Sequence, residues 1–207
     1  MAALNFTPSP DDREELARAE VYGLLAALFY AAPSAELYAQ LQVAPTEAPA
    51  PGAFLESSWM NLVAASRRLE LAAVADEYAA LFEGIGKPEI FLYGSYYAAG
   101  HLNEKPLVEL RDALAKLGLE RPAHVQETED HIASLCEAMR YLIAGDDLAV
   151  SNLAKQQTFF NDHVRRWVDS MTDAIVAHPR ADFYGAVALF ARDFFAVEGQ
   201  GFDLLEV

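Results

Sequence analysis

Glu127-Thr128-Glu129-Asp130-His131 is the most informative stretch of this 207-residue chain, because it opens a long apolar pattern of helical spacing. If a helix begins at Glu127, then Glu127, Asp130 and His131 fall at positions i, i+3 and i+4 and share one face. Carboxylates there can accept paired, charge-assisted hydrogen bonds from an arginine, and the imidazole can hold a carboxylate or donate to a peptide carbonyl. The alternative is that the acidic groups only favour the positive end of a helix, with His131 incidental.

A second informative block, rich in aromatic residues, lies about thirty residues upstream, in residues 77–82 and 91–97. Tyr93, Ser95 and Tyr97 offer amphipathic rings and hydroxyls that can line a groove for an apolar peptide segment. Ordinary packing of a loop against the core explains these three residues equally well. Core positions are predicted at aromatic and apolar residues of helical spacing: Tyr78, Leu81, Phe82, Phe159, Phe160, Trp167, Phe190, Phe194 and Phe195.

The composition favours an all-α fold. Ala, Leu and Glu dominate while β-branched residues are scarce, and Ala loses no side-chain entropy in a helix. A chain of this length can bury one sizeable core and need not divide in two. We therefore predict one helical-bundle domain over residues 1–207, with a Pro/Ala-rich loop at about 43–53 and an ordered loop at about 84–95.

Start and stop signals place the individual helices. Ser9 caps a helix that Pro10 opens and that ends near Pro33, whereas Gly118 terminates a helix that begins at Pro106. The predicted helices lie at about 10–33, 34–41, 54–82 with a break near 69–71, 106–116, 127–144, 147–177 and 181–197.

The charge balance excludes several classes of partner. With 31 acidic and 15 basic residues, the formal net charge is −16. Nucleic acids and anionic lipids need Lys and Arg to displace their counterions, so this chain repels both, and a DNA-binding regulator is disfavoured. A cationic peptide is attracted instead. The alternative is that the acidity mostly serves solubility.

Targeting signals and cysteine pairs are also absent from the sequence. Cys136 is the single cysteine, so no disulfide within the chain is possible. The N-terminus has no basic region followed by an apolar run, and the longest apolar stretch, 21–33, is far shorter than a membrane span of about 20 residues. We predict a cytoplasmic protein.

Catalytic and metal-binding motifs do not appear either. The sequence has no Gly-x-Ser-x-Gly element and no phosphate-binding Gly-x-x-x-x-Gly-Lys loop, and the apolar helical context of Cys136 raises a thiol pKa. A dinuclear carboxylate site needs Glu-x-x-His, whereas Asp130 follows Glu127 at that spacing. We predict no metal, no cofactor and no catalysis. The alternative that stays open is a small helical enzyme in which Glu127, Asp130 and His131 transfer protons.

Several motifs in the same order and at the same spacing resemble those of a known family. They are Tyr78-x-x-Leu81-Phe82, Ser95-Tyr96-Tyr97, Glu127-Thr128-Glu129-Asp130-His131, the late-helix segment 156–163 with Trp167, and the segment 183–188. The pattern resembles the TorD/DmsD/NarJ family of cytoplasmic chaperones that mature molybdenum enzymes. Thr128 stands where the family usually has proline, and the resemblance covers roughly residues 15–198.

The resemblance implies a TorD-like helical bundle and a binding function. The protein would hold the N-terminal twin-arginine leader, and the apo form, of a molybdoenzyme catalytic subunit until the molybdenum cofactor is inserted. Glu127, Asp130 and His131 would meet the basic residues of the leader, while Tyr93, Ser95 and Tyr97 would shape the adjoining groove. Both a monomer and a homodimer are compatible with the resemblance.

Overall fold

The computed structural model describes residues 10–46, 55–84 and 86–205. Within the first of these ranges, the side chains are described from residue 13 onward. In these ranges the chain forms ten α-helices. They are α1 (Pro10–Tyr30), α2 (Ala35–Val43), α3 (Glu56–Arg68), α4 (Leu71–Tyr78), α5 (Gly94–Ala99), α6 (Lys105–Lys116), α7 (Ile132–Ala144), α8 (Leu153–Phe159), α9 (Val168–Val176) and α10 (Phe183–Asp203). Helices cover about 68% of the chain, and β-pairing in the described residues is limited to one isolated bridge. The predicted all-α fold is confirmed.

Two of the helices continue into a π-helical turn, in which each backbone N–H bonds five residues back. Ala79–Glu83 extends α4, and Phe160–Val164 extends α8. Such turns insert one extra residue per turn and shift the side chains that follow on the helix surface. Both turns contain residues of the sequence motifs, namely Leu81 and Phe82 in the first and His163 in the second.

The core lies where α1 packs along α7 and where α10 packs against α3 and α9. The largest fully buried side chains are aromatic: Tyr22, Phe29, Phe160, Phe183 and Tyr184. Of the predicted core residues, Phe82 is half-buried and packed on this core, and the others are buried. The core prediction is therefore confirmed.

Most predicted helix boundaries agree with the structure. Ser34 caps α2 by accepting the Leu37 N–H at 3.2 Å, the break near 69–71 separates α3 from α4, and Gly118 follows α6. The backbone of Gly118 has a φ of +70°, a left-handed conformation in which a side chain would be strained. Ser9, residues 47–53 of the Pro/Ala-rich loop and Ile85 lie outside the described residues.

Four boundaries were predicted wrongly. The last helix, expected at about 181–197, continues to Asp203. The helix expected from residue 127 begins at Ile132, because His131 is its N-cap and its Nδ1 accepts the Ala133 N–H at 3.2 Å. The helix expected from residue 147 begins at Leu153, with Asn152 as its cap, and residues 165–167 interrupt it. The loop expected to reach residue 95 ends at Tyr93, where α5 starts.

The start of α10 is held by a carboxylate from another helix. Glu77 on α4 accepts the backbone N–H groups of Asp182 at 2.8 Å, Phe183 at 3.0 Å and Tyr184 at 2.7 Å. These are the donors that a helix leaves unpaired at its N-terminus, and a negative charge there is further stabilised by the helix dipole. Arg68 of α3 adds a bidentate ion pair to Asp182.

Each described helix is too short or too polar to cross a lipid bilayer. The expectation that residues 1–207 form a single domain stays a prediction.

We predict that Glu77→Ala lowers the free energy of unfolding by about 2 kcal/mol, because three backbone donors at the start of α10 lose their acceptor. For a chain of this size that corresponds to a fall in Tm of roughly 4–8 °C, measurable by thermal denaturation. Asp76→Ala is the matched control, since it removes an exposed carboxylate from the same helix. Equal Tm changes in the two variants would contradict the capping role.

Candidate functional site

A short antiparallel contact brings the two sequence motifs together. The Gly94 N–H donates to the Asp130 carbonyl, and the Ile132 N–H donates to the Leu92 carbonyl, both at 2.9 Å, around the bridge between Tyr93 and His131. The residues preceding α5 thus lie beside those preceding α7. We call this contact, residues 92–95 with 127–132, the motif corner. It contains five of the six predicted site residues, and Tyr97 lies one helical turn further along α5.

Asp130 is the buried anchor of the motif corner, with only 3% of its surface exposed. One carboxylate oxygen accepts the Ser95 N–H at 2.8 Å, and the other accepts the Thr128 hydroxyl at 2.6 Å. Thr128 therefore supplies a hydrogen bond that proline at this position could not make. Ser95 is equally buried, and its hydroxyl accepts the Asn103 N–H at 3.2 Å.

His131 is also buried, at 4% exposure, and lies edge-on to the Tyr93 ring with the ring centroids 5.0 Å apart. Burial lowers the pKa of His131 to about 4, although the carboxylates of Glu127 and Asp130 act in the opposite direction. The imidazole is therefore neutral at pH 7. Because α7 begins one residue later, His131 and Asp130 do not share a helical face with Glu127.

Glu127 is the predicted acidic residue that keeps contact with solvent. It is half-buried, and it accepts a hydrogen bond from the Tyr93 hydroxyl. Burial and the neighbouring Glu127 carboxylate raise the pKa of that hydroxyl, so Tyr93 is a neutral donor at physiological pH.

Tyr97 is held by packing contacts on the other side of α5. Its ring stacks on Trp167 with centroids 5.7 Å apart, and its hydroxyl donates to the Phe91 carbonyl at 3.0 Å. Trp167 approaches α5 so closely that a Cβ at Gly94 would lie 2.8 Å from the indole nitrogen. These contacts match the packing interpretation of Tyr97.

A small cavity of about 70 Å³ reaches Asp130 and Ser95 from the side of α6 and the second π turn. Since a water molecule in the liquid takes up about 30 Å³, this cavity has room for a few waters and not for a peptide. The motif corner is thus mostly closed to a large ligand.

A larger, open and mainly apolar groove begins beside the motif corner. Its volume is about 550 Å³, and it lies between the end of α1, two turns of α7 and the segment after α6. We call it the α1–α7 groove. It is lined by Ala26, Ala27, Tyr30, Leu114, Leu119, Glu120, Arg121, Pro122, Val125, Glu129, Ala133, Ser134, Leu135, Glu137, Ala138 and Tyr141.

The α1–α7 groove combines a floor of small side chains with two exposed aromatic side chains. Ala133, Ser134 and Ala138 of α7 present little more than their Cβ atoms. Tyr30 is 50% exposed and Tyr141 is 42% exposed. Exposed tyrosines beside an apolar depression supply a large, rigid contact area, as is typical of peptide-binding surfaces.

Carboxylates surround the apolar surface of the groove. Glu120 and Glu137 are exposed, while Glu129 is largely buried and paired with two arginines. Glu129 is therefore shared between the motif corner and the α1–α7 groove. Carboxylates beside apolar surface suit a segment that carries both positive charge and apolar side chains.

Sequence reasoning missed the α1–α7 groove and Glu129. One signal was available: Ala133, Ser134, Ala138 and Tyr141 lie close together on a helical wheel, and small residues there leave space beside the core stripe. The segment after α6 gave no such signal, because it lacks regular periodicity.

A metal ion would need several His, Cys, Asp or Glu side chains close together. In residues 10–46, 55–84 and 86–205 no three such side chains come together in a suitable arrangement. The Cys136 thiol is buried in α7, and burial raises its pKa.

Comparison with known protein families adds independent information. Residues 48–173, more than half of the chain, match the family model described as "Nitrate reductase delta subunit". The chain belongs to this family. The match spans the motif corner and all of α3 to α8, and it confirms the resemblance to the TorD/DmsD/NarJ family.

Individual relatives of the family carry the name of a chaperone. "Chaperone protein TorD" of Aliivibrio fischeri is 29% identical over 128 residues, which cover 58% of each chain, so the aligned part spans less than two thirds of that relative. "Chaperone protein TorD" of Vibrio cholerae is 26% identical over 193 residues, 86% of this chain and 88% of the relative.

A solved structure supports the fold. A crystal structure from Archaeoglobus fulgidus, of a protein assigned to redox enzyme maturation, matches 96% of this chain and 99% of its own with a TM-score of 0.54. At 18% identity, this likeness concerns the fold alone. Family membership and the relatives place the chain among chaperones, and the prediction that it is not an enzyme is confirmed.

We predict that Asp130→Ala destabilises the protein by about 1–3 kcal/mol, because the buried Ser95 N–H and the Thr128 hydroxyl both lose their acceptor. Glu127→Ala is the matched control, since it removes a half-buried carboxylate from the same segment and should cost less. Urea denaturation of both variants measures the difference. An Asp130→Ala protein as stable as wild type would show that the buried carboxylate is not the anchor of the motif corner.

His131 should make stability depend on pH. Its folded-state pKa of about 4 lies below the ordinary value, so between the two values the unfolded chain binds more protons, and the protein loses stability as the pH is lowered. From pH 7 to pH 5 this contribution is about 2 kcal/mol. His131→Asn keeps a good N-cap acceptor but cannot titrate. Urea denaturation at both pH values should show a loss smaller by about this amount in the variant, and an equal loss in both proteins would refute the assignment.

Proposed function

We propose that this protein is a dedicated maturation chaperone for a molybdenum enzyme. It binds the N-terminal twin-arginine leader of the apo catalytic subunit in the cytoplasm, assists insertion of the molybdenum cofactor and delays export until the enzyme is mature. The proposal rests on the family to which the chain belongs and on its similarity to chaperone relatives. The observation that carries it is the α1–α7 groove, because it offers both chemical properties that such a leader requires.

The first property is an open apolar surface. Leaders of this class have an apolar stretch that must be shielded from water before export. The groove presents Tyr30, Tyr141 and Leu119 around a shallow floor, with a volume of about 550 Å³. That volume lies within the range of ordinary ligand sites and accommodates several apolar side chains of a peptide.

The second property is negative charge next to that surface. Glu120 stands exposed at the groove, as does Glu137, which is paired with Arg140 of its own helix at 3.1 Å, and the whole chain carries a formal charge of −16. A leader with a basic N-terminal region is therefore steered toward the protein and oriented by the charged residues. An entirely apolar peptide would gain no such steering.

The motif corner supports the groove in this proposal. In this proposal Glu127, two residues before the groove residue Glu129, would be a direct contact for basic residues, whereas Asp130, His131 and Ser95 are buried and fix the segment that carries Glu129. Tyr93 orients Glu127, and Tyr97 holds α5 on Trp167. The six predicted residues would then act together, with one binding directly and five positioning.

The direct test is binding of a fluorescently labelled synthetic twin-arginine leader peptide, followed by anisotropy. Wild-type protein should bind it, and a control peptide with both arginines replaced by glutamine should bind more weakly. Each lost charge-assisted contact is expected to cost about tenfold in affinity. Equal affinity for both peptides, or binding to neither, would contradict the proposal.

We predict that Ala27→Trp weakens leader binding at least tenfold. Ala27 is exposed on α1 and lines the groove, so an indole there occupies the space that the peptide needs without entering the core. Ala154→Trp on α8 is the matched control, because it adds the same side chain at an exposed position outside the groove. Unchanged affinity in Ala27→Trp, with an unchanged Tm, would place the leader elsewhere.

The partner is tested separately by co-purification from the native host followed by mass spectrometry. The expected result is an apo molybdoenzyme subunit that Ala27→Trp recovers in lower yield than Ala154→Trp. Equal recovery by the two variants would mean that the groove does not hold this partner.

A further inference from the structure

Glu129 is already bound by guanidinium groups in the free protein. Its carboxylate is 14% exposed, and both of its oxygens are used. One oxygen accepts a hydrogen bond from Nε of Arg111 at 2.8 Å and lies 2.8 Å from its Nη2 in an ion pair, and the other oxygen accepts from Nε of Arg121 at 3.2 Å. The groove wall therefore contains a built recognition site for arginine, occupied by side chains of the chain itself.

The two arginines are not equivalent. Arg111 lies on α6, outside the groove, and although it is 49% exposed it makes the two shorter contacts to Glu129. Arg121 lines the groove, makes a single longer contact to Glu129 and is 33% exposed. It belongs to the non-helical segment between α6 and α7, where its guanidinium also donates to the Val125 carbonyl. Arg121 is thus the partner of Glu129 that can be displaced.

Arg121 also opposes the ligand that the groove otherwise suits. A cationic segment entering the groove meets a positive charge beside Glu129, whereas the neighbouring Glu120 and Glu137 are exposed and hold arginine only weakly. Glu129 is the groove carboxylate with the least contact with water, so its pairing is the least screened. The identity of the residue that pairs with it then affects affinity most.

We infer that Glu129 is the residue that recognises an arginine of the partner, and that Arg121 pairs with Glu129 until the partner binds. In this exchange Arg111 keeps its own contacts, and one guanidinium leaves as another binds, so the oxygen that Arg121 vacates is not left without a charged donor. The inference rests on the proposed function and adds a specificity-determining residue to it.

The experiment compares Arg121→Gln with Arg111→Gln, which change the net charge equally and each remove one partner of Glu129. Two labelled leader peptides are titrated at 0.15 M salt, one with arginines and one with the neutral isostere citrulline in their place. Arg121→Gln should bind the arginine peptide about fivefold more tightly than wild type, the scale of a partly exposed ion pair. It should bind the citrulline peptide with wild-type affinity, and Arg111→Gln should show no gain for either.

Glu129→Gln, alone and combined with Arg121→Gln, completes a double-mutant cycle between these two residues. It should weaken binding of the arginine peptide, and in this background Arg121→Gln should give no further gain, because the two guanidinium groups no longer compete for a carboxylate. Should Arg121→Gln lower the Tm, Arg121→Lys serves instead, since an ammonium keeps the charge but loses the planar fork, and a smaller gain in the same direction is expected.

Two outcomes overturn the inference. One is a wild-type or weaker affinity of Arg121→Gln, or of Arg121→Lys if that replaces it, for the arginine peptide. The other is an equal gain for the arginine and citrulline peptides, which would mean that Arg121 only blocks space. If wild-type protein binds no leader peptide, the proposed function fails first. If it binds the peptides but shows no exchange at Glu129, only this inference fails.

Discussion

The pairing of residues 92–94 with 130–132 is the constraint on which the rest of this molecule depends. Two backbone hydrogen bonds form the contact, and the buried Asp130 carboxylate reinforces it by accepting the Ser95 N–H. Residues far apart in sequence are thereby fixed at one point, from which α5 and α7 both start. Because α7 forms the floor of the groove and packs along α1, any shift at this point would alter the whole binding surface.

Burial separates two roles that residues of the same charge could otherwise share. Asp130 and Glu129 are adjacent in the sequence, yet Asp130 points its oxygens at groups of the motif corner, and Glu129 points at arginines beside the groove. A carboxylate that satisfies internal donors holds the backbone, whereas one that meets guanidinium groups can exchange them. Under the proposed exchange, the acidic motif combines a residue that holds the backbone with a residue that recognises the partner.

The sequence predicted the fold because local signals and composition agreed: Ser34 before α2, Gly118 after α6 and the scarcity of β-branched residues all indicate helices. The site was harder to predict. Glu127 to Asp130 look like a helix start, but His131 is the better cap for α7, and the bridge to residues 92–94 keeps the preceding residues extended or turned. That bridge joins residues about 38 apart, and no local pattern encodes it. The α1–α7 groove likewise depends on how three distant segments meet.

The formal charge of −16 has a consequence for how copies of this protein treat one another. An open apolar depression flanked by tyrosines is a surface on which identical molecules could stick together. Two such molecules approach against the repulsion of their equal charges, whereas a basic leader approaches with attraction. With a basic leader as the proposed ligand, the acidity discriminates between a second copy and the ligand: the groove can remain uncovered in a crowded cell and still admit a segment of opposite charge.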